Sequence, residues 1–169
     1  MLYGERKMIS KTAFLFLLAL TIGFCALMRF EVPVQAGNKQ DTAANILAME
    51  RAAMDRWIKG DPDGFLDISD PDVVYFDPAV AARINGLEEL RKYYEPVRGK
   101  IKIDRYEFID PRVQISDDDT MALLTFNFVS HGSEGDSRWN TTEVYRLNRN
   151  KQWRIIQTHW SPTQPKLQK

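Results

Sequence analysis

Two carboxylates in this sequence stand where their surroundings could put them to chemical use. Glu143 falls in a predicted strand, Arg138–Leu147, whose alternate positions place Trp139, Thr141, Glu143, Tyr145 and Leu147 on one face. Arg138, Asn140, Thr142, Val144 and Arg146 take the other. If the aromatic face looks into a closed interior, a carboxyl there loses its hydration. Its charged form is then disfavoured, and it can hold a proton near neutral pH. Two alternatives stay open at this level: an ion pair with Arg98, Arg105 or Arg154, or a bulge that turns Glu143 to solvent. Asp77 ends a second predicted strand, and Pro78 freezes the next backbone angle. It stands either at an opening of the fold or as the Asx-turn residue that caps a loop.

A pocket needs apolar walls and a few polar groups. Trp57, Tyr75, Tyr94 and Trp139 are the expected walls, and Asn127, Thr141 and His159 the expected polar groups. Phe126, Phe128 and Trp160 add further aromatic surface, although any of these rings also suits an ordinary core. His159 shares a predicted face with Trp153, Ile155 and Gln157, where a structural hydrogen bond is the alternative to pocket chemistry. The two histidines are too few for a histidine- or thiolate-based metal site, and no metal or cofactor is expected. Asp117, Asp118 and Asp119 lack the glycine and distal glutamate of a calcium loop and read as a solvated hairpin tip. His131 reads as an exposed residue of a glycine-rich turn.

The elements that must position these groups begin after residue 36. Residues 1–36 combine a basic start (Arg6, Lys7, Lys11), an apolar run from Ala13 to Met28 and the small-residue motif Val34-Gln35-Ala36. The run is shorter than the roughly 20 residues that a membrane-spanning helix needs. A cleaved export signal, with a mature chain starting at Gly37, is therefore expected, the alternative being a retained N-terminal membrane anchor. Cleavage leaves 133 residues, enough for one core and too few for two domains. It also removes Cys25, the single cysteine. The remaining 19 Lys and Arg against 21 Asp and Glu form no basic run, so nucleic acid is not an expected partner.

Helical spacing predicts a helix from Thr42 to Lys59, with Asp41 as N-cap, Gly60 as stop and an inward stripe of Ile46, Met49, Ala53 and Trp57. Asp61-Pro62 restarts a short helix with Phe65, Leu66 and Ile68 inward, and Val73–Phe76 forms a brief strand. Asn85-Gly86 marks a turn before a third helix carrying Leu87, Leu90, Tyr94 and Val97, which Pro96 ends near Tyr94. Beyond Gly99 the period becomes that of strands: 101–109, 112–115, 120–130, 138–147 and 152–160. Helices followed by a strand meander predict an α+β domain, with three N-terminal helices packed on a strongly curved antiparallel sheet. Met121–Val129 is apolar on both faces, more than a strand covered only by its own helices needs, and this predicts pairing with a second copy. The segment 162–169 is expected as a flexible tail.

The Asp77-Pro78 step, Gly86 before the third helix and the closing Thr142-Glu143-Val144-Tyr145-Arg146, Trp153-Arg154-Ile155-Ile156 and His159-Trp160-Ser161 resemble the SnoaL-like branch of the nuclear transport factor 2-like superfamily. The chain is also similar to the association domain of calcium/calmodulin-dependent protein kinase II, in the Asp110-Pro111 step and the Trp-to-Ser ending. The likeness spans about Ile46 to Ser161 and implies a cone-shaped domain, residues 37–161, that assembles as a homodimer or a higher ring. Functions within this superfamily differ. One implied reading is an exported binder of a small apolar ligand or peptide in the cone. The other, by resemblance to ketosteroid isomerase, is a cofactor-independent isomerase, cyclase or dehydratase with Asp77 as base and Glu143 as acid. Against the second stands Ala53, where that enzyme offers a tyrosine from its first helix.

Overall fold

The computed structural model describes residues 39–133 and 135–163, which belong to one compact unit. The expected export signal, and residues 164–169 of the expected tail, lie outside them. Helix α1 runs Lys39–Trp57, starting three residues earlier than its spacing predicted. Asp41 therefore sits inside the first turn and not at the N-cap, a place where its charge still meets the positive helix end. Ile46 and Ala53 are buried, with Met49 and Trp57 packed beside them, and Glu50 is buried in the same stripe. The helix ends at Trp57 and the chain turns away at Gly60, whose φ of 80° suits glycine. Helix α2, Asp63–Ile68, lies so close to α1 that a Cβ on Gly64 would stand 2.7 Å from the carbonyl oxygen of Ala53.

Strand β1, Ser69–Phe76, extends further upstream than its predicted four residues. Pro71 fits within it because pairing with β6 is interrupted between Ser69 and Val74, and proline has no N–H for a ladder. A two-residue strand β2, Ile84–Asn85, and helix α3, Leu87–Tyr94, follow, then a single 3₁₀ turn, Glu95–Val97, at the predicted break before Pro96. The rest is a meander: β3, Arg105–Ile115; β4, Met121–Gly132; β5, Gly135–Leu147; and β6, Trp153–Pro162. The two predicted strands around Asp110-Pro111 are one strand with a local break. Register shifts between Ile109 and Arg112, and Asp110 takes a φ of 47°. Pro162 ends β6, and Thr163 still donates to the Arg138 carbonyl, so the sheet reaches beyond the predicted start of the tail.

The six strands form one curled sheet in the order β2-β1-β6-β5-β4-β3. Its pairs are antiparallel except β1 with β6, which run parallel and are separated in the chain by β2, α3, the 3₁₀ turn and strands β3 to β5. The concave face carries Ala122, Leu124, Phe126 and Phe128 of β4, Tyr145 of β5 and Trp153 and Ile155 of β6, covered by Ile46, Met54, Phe65, Leu90 and Tyr94 from the helices. Among the described residues no helix is long and apolar enough to cross a membrane.

Gly60 and Gly99 join the helical layer to the start of the meander, since the Gly99 amide donates to the Gly60 carbonyl at 2.7 Å. A Cβ on Gly60 would stand 2.8 Å from the Gly99 Cα, whereas a Cβ on Gly99 meets nothing within 4 Å. Both residues have positive φ. In urea denaturation, Gly60→Ala is expected to cost about 2 kcal/mol or more, through strain plus a backbone clash. Gly99→Ala is expected to cost only the strain, about 1 kcal/mol. Equal losses would contradict this account of the contact.

Candidate functional site

The helices cover the curled sheet without filling it, and a cavity of about 340 Å³ remains, a size that ligand sites commonly have. Seven aromatic residues line it: Trp57, Phe65, Tyr75, Tyr94, Phe128, Trp139 and Trp160. Trp57 and Tyr94 meet edge to face at 4.9 Å, and Trp160 stands edge-on to Phe128 at 5.4 Å. Such pairs hold the rings in place and contribute about 0.5–1.5 kcal/mol each beyond their burial. Asp77 and Glu143 both line this cavity, together with the hydroxyls Ser69, Ser130, Ser137 and Thr158. Among the described residues, no lysine, arginine or histidine does.

Glu143 is fully buried on the inner face of β5. None of the three candidate arginines reaches it: Arg98 binds Asp63 and Glu95, Arg105 binds Glu107, and Arg154 binds the Asp67 carbonyl and Gln152. Its contacts are the Tyr145 hydroxyl at 3.2 Å and the Thr158 hydroxyl at 3.3 Å. Burial pushes the Glu143 carboxyl well above the ordinary carboxylate range, and the neighbouring Glu50 carboxyl raises it further. Glu50 is equally buried and accepts the Tyr145 hydroxyl at 2.6 Å. Burial raises Glu50 too, against the hydrogen bonds that hold its charged form.

Asp77 sits at the end of β1 with every acceptor position engaged. One oxygen accepts the Tyr75 and Tyr93 hydroxyls at 2.8 and 2.6 Å; the other accepts the amides of Ala79 and Val80 at 2.7 and 3.1 Å. The Asx-turn role and the cavity position are therefore the same geometry. Tyr94 packs edge-on against the Tyr75 ring at 5.6 Å, which steadies the tyrosine that donates to Asp77. Desolvation together with the Asp77 charge keeps Tyr75 and Tyr93 protonated, as donors.

Trp57, Tyr75, Tyr94 and Trp139 line the cavity, but three expected polar residues do not. Asn127 is exposed on the outer face of β4 and binds Asn140 across the strand pair at 2.7 Å. Strand alternation puts it there, between Phe126 and Phe128, which point inward. Thr141 is on the inner face and buried, yet outside the cavity lining, with a hydroxyl that finds no partner among the described residues. His159 is exposed. Register shifts between Val144 and Tyr145, so that Gln157 faces Val144 and Ile155 faces Tyr145, with Ile156 as the extra residue of a bulge. The bulge reverses the alternation. Trp153 and Ile155 point inward before it, Thr158 and Trp160 after it, and His159 is turned outward beside Phe76. His131 is likewise not a free turn residue: it lies in β4 between Asp136 at 2.6 Å and Glu107 at 3.1 Å.

Two residues of the site are absent from the sequence-based expectation. Glu50 follows Ile46 by four and precedes Ala53 by three, so its position marked it as inward even though its type did not. Tyr93 follows Leu90 by three, the same kind of signal.

Comparisons with known proteins agree with this architecture. A family model described as a SnoaL-like domain matches residues 46–165. A comparison with curated proteins returned no match. Among solved structures, a protein of Parabacteroides distasonis, provisionally named a ketosteroid isomerase, is 43% identical over 71% of this chain and 86% of its own, with a TM-score of 0.64. The S. rosetta calcium/calmodulin-dependent protein kinase II hub is 22% identical over 77% of this chain and 100% of its own, with a TM-score of 0.59. A Streptomyces avermitilis protein of the nuclear transport factor 2-like family, provisionally named a dehydratase, is 18% identical over 75% of this chain and 99% of its own, with a TM-score of 0.59. The last two are similar in fold alone. With its helix-covered curled sheet and a family match across most of its length, the chain belongs to the SnoaL-like domain family of the nuclear transport factor 2-like superfamily.

Proposed function

We propose that this protein binds a small, largely apolar molecule in the aromatic cavity and performs no chemistry on it. The observation that carries the reading is the state of Asp77. A carboxylate offers about four acceptor positions, and here four donors occupy them, all at 3.1 Å or less. A general base needs a lone pair free to take the substrate's proton. Asp77 is instead a fixed negative corner of the cavity mouth, and Glu143 a neutral polar point on its wall. Ala53 leaves the first helix with no tyrosine to complete an oxyanion hole.

A second reading, an isomerase or lyase with Asp77 as base and Glu143 as acid, draws on one observation. Both carboxyls line the same cavity, in a chain 43% identical to a protein provisionally named a ketosteroid isomerase. Native mass spectrometry of the mature domain, identifying the molecule that co-purifies with it, supplies the ligand for a test between the two. For a binder, Asp77→Asn and Glu143→Gln each keep affinity for that molecule within about tenfold, roughly 1.4 kcal/mol. Turnover by the wild type that Asp77→Asn abolishes while binding persists would establish the enzyme instead.

We further propose that the protein is exported and works as a homodimer joined through the outer face of the sheet. There Leu123 pairs with Val144, Thr125 with Thr142 and Asn127 with Asn140, while Phe76 and Ile109 are about 40% exposed. A stable interface of this kind buries on the order of 1,600 Å². Protein isolated from its native host is expected to begin at Gly37 and to sediment as a dimer at micromolar concentration. An intact Met1 in a membrane fraction would mean an anchor, and a monomer would remove the interface.

A further inference from the structure

The Glu50–Tyr145–Glu143 cluster contains more acceptors than its visible donors satisfy. The Tyr145 hydroxyl has one hydrogen and stands 2.6 Å from Glu50 Oε2 and 3.2 Å from Glu143 Oε2. The shorter contact takes the hydrogen. The longer one is then a hydrogen bond only if Glu143 carries a proton and donates it to the tyrosine oxygen. The Glu50 and Glu143 carboxyls also act on each other as like charges, and two ionised carboxylates joined through one tyrosine hydroxyl repel. Glu50 Oε1 meanwhile has no donor among the described residues. Both carboxyls are at 0% exposure, out of reach of bulk solvent.

We propose that Glu50 is a positioning residue of the cavity: with Glu143 it shares a proton across Tyr145, and this keeps Glu143 a neutral acid at the cavity wall. Two like charges this close, in a desolvated site, cannot both ionise. The pair titrates as a unit, and the hydrogen-bond pattern around Tyr145 puts its one proton on Glu143. Among the described residues the surroundings offer no competing cation. Glu143 is faced by Glu50 from α1, Tyr145 from its own strand, Thr158 from β6 and Tyr94 from α3, with Asp77 on the same cavity at the end of β1. On α1, Arg51 lies over the Phe108 ring and Arg56 binds Asp61 and Asp67; on β5, Arg146 binds Asp70 and Asp72. The consequence for the site, which rests on the ligand-binding reading above, is a preference for molecules with a neutral acceptor oxygen and discrimination against carboxylates.

The proton can be read without any ligand. Infrared spectra of the full domain labelled with ¹³C-glutamate should contain a protonated-carboxyl carbonyl band at pH 7, absent from Glu143→Gln. A wild-type spectrum without that band overturns the proposal. In Glu50→Gln the remaining carboxyl should lose its proton at lower pH than in the wild type, because its like-charged neighbour is gone. An unchanged titration would show that Glu50 merely fills space. Should that variant fail to fold, Glu50→Asp, which draws the carboxyl away from Tyr145, is expected to move the titration the same way, and no movement counts against the proposal.

Stability gives a second measure. A carboxyl raised in the folded state stabilises it fully below the unfolded value, about 4.3. That contribution is lost as pH rises towards the folded value, because the folded state holds a proton that the unfolded chain has released. Urea midpoints of the wild type should therefore fall from about pH 5 to pH 8 more steeply than those of Glu143→Gln; parallel profiles would overturn the shared proton. For the ligand arm, tryptophan fluorescence is titrated with acetophenone and with benzoate. At least tenfold tighter binding of the ketone is expected, and equal or tighter benzoate binding overturns the donor role. If neither binds while the infrared band is present, the ligand-site reading fails and the shared proton stands.

Discussion

The hydrogen bond from Tyr145 to Glu50 spans 95 positions of sequence and joins the first helix to the middle of the sheet inside an otherwise apolar core. Apolar contacts alone would let α1 slide or rotate over the concave face with little change in buried area. A buried polar tie has one good geometry, and breaking it strands a desolvated group at a cost of about 1–3 kcal/mol, more when that group is charged. α1 is thereby held over the centre of β5. The cavity lies between the helices and the inner residues Phe128, Trp139 and Trp160.

The two carboxyl sites of this cavity are built on opposite principles. Asp77 is surrounded by donors, two tyrosine hydroxyls and two amides, which hold its negative charge in place at the end of a strand. Glu143 has a second carboxyl, one tyrosine and one threonine for neighbours and no basic residue, so the low-dielectric surroundings act to remove its charge. One wall is thus fixed and anionic, while the other is neutral and able to donate. The difference comes from backbone geometry. A proline-stiffened turn at the rim exposes amides that can solvate a charge, whereas the middle of a paired strand has already spent its amides on the ladder.

The local signals that the sequence determines are those with short periods. Alternation along β5 placed Trp139, Thr141, Glu143 and Tyr145 on one face, and the structure has them inward. The breaks at Gly60, Pro96 and Asp110-Pro111 likewise follow from backbone chemistry within a few residues: a positive φ, a missing N–H and a register shift. The α+β class and the SnoaL-like architecture were legible for the same reason, since a change of period from helix to strand survives without knowledge of any partner.

Only the tertiary structure decided what depends on strand partners and on enclosed space. His159 and Trp153 were on one face by counting, yet the bulge at Ile156 separates them, and such a bulge arises from pairing with β5. Asn127 shows the opposite case: alternation puts it outward, and a polar type between two aromatics is no sign of a pocket group. Glu50 was hidden because a glutamate on a helix reads as solvated, and nothing in α1 announces a tyrosine 95 residues away. The meeting of Glu50, Tyr145 and Glu143 is a product of chain closure. Its chemistry depends on desolvation, which belongs to the folded interior and to no residue alone.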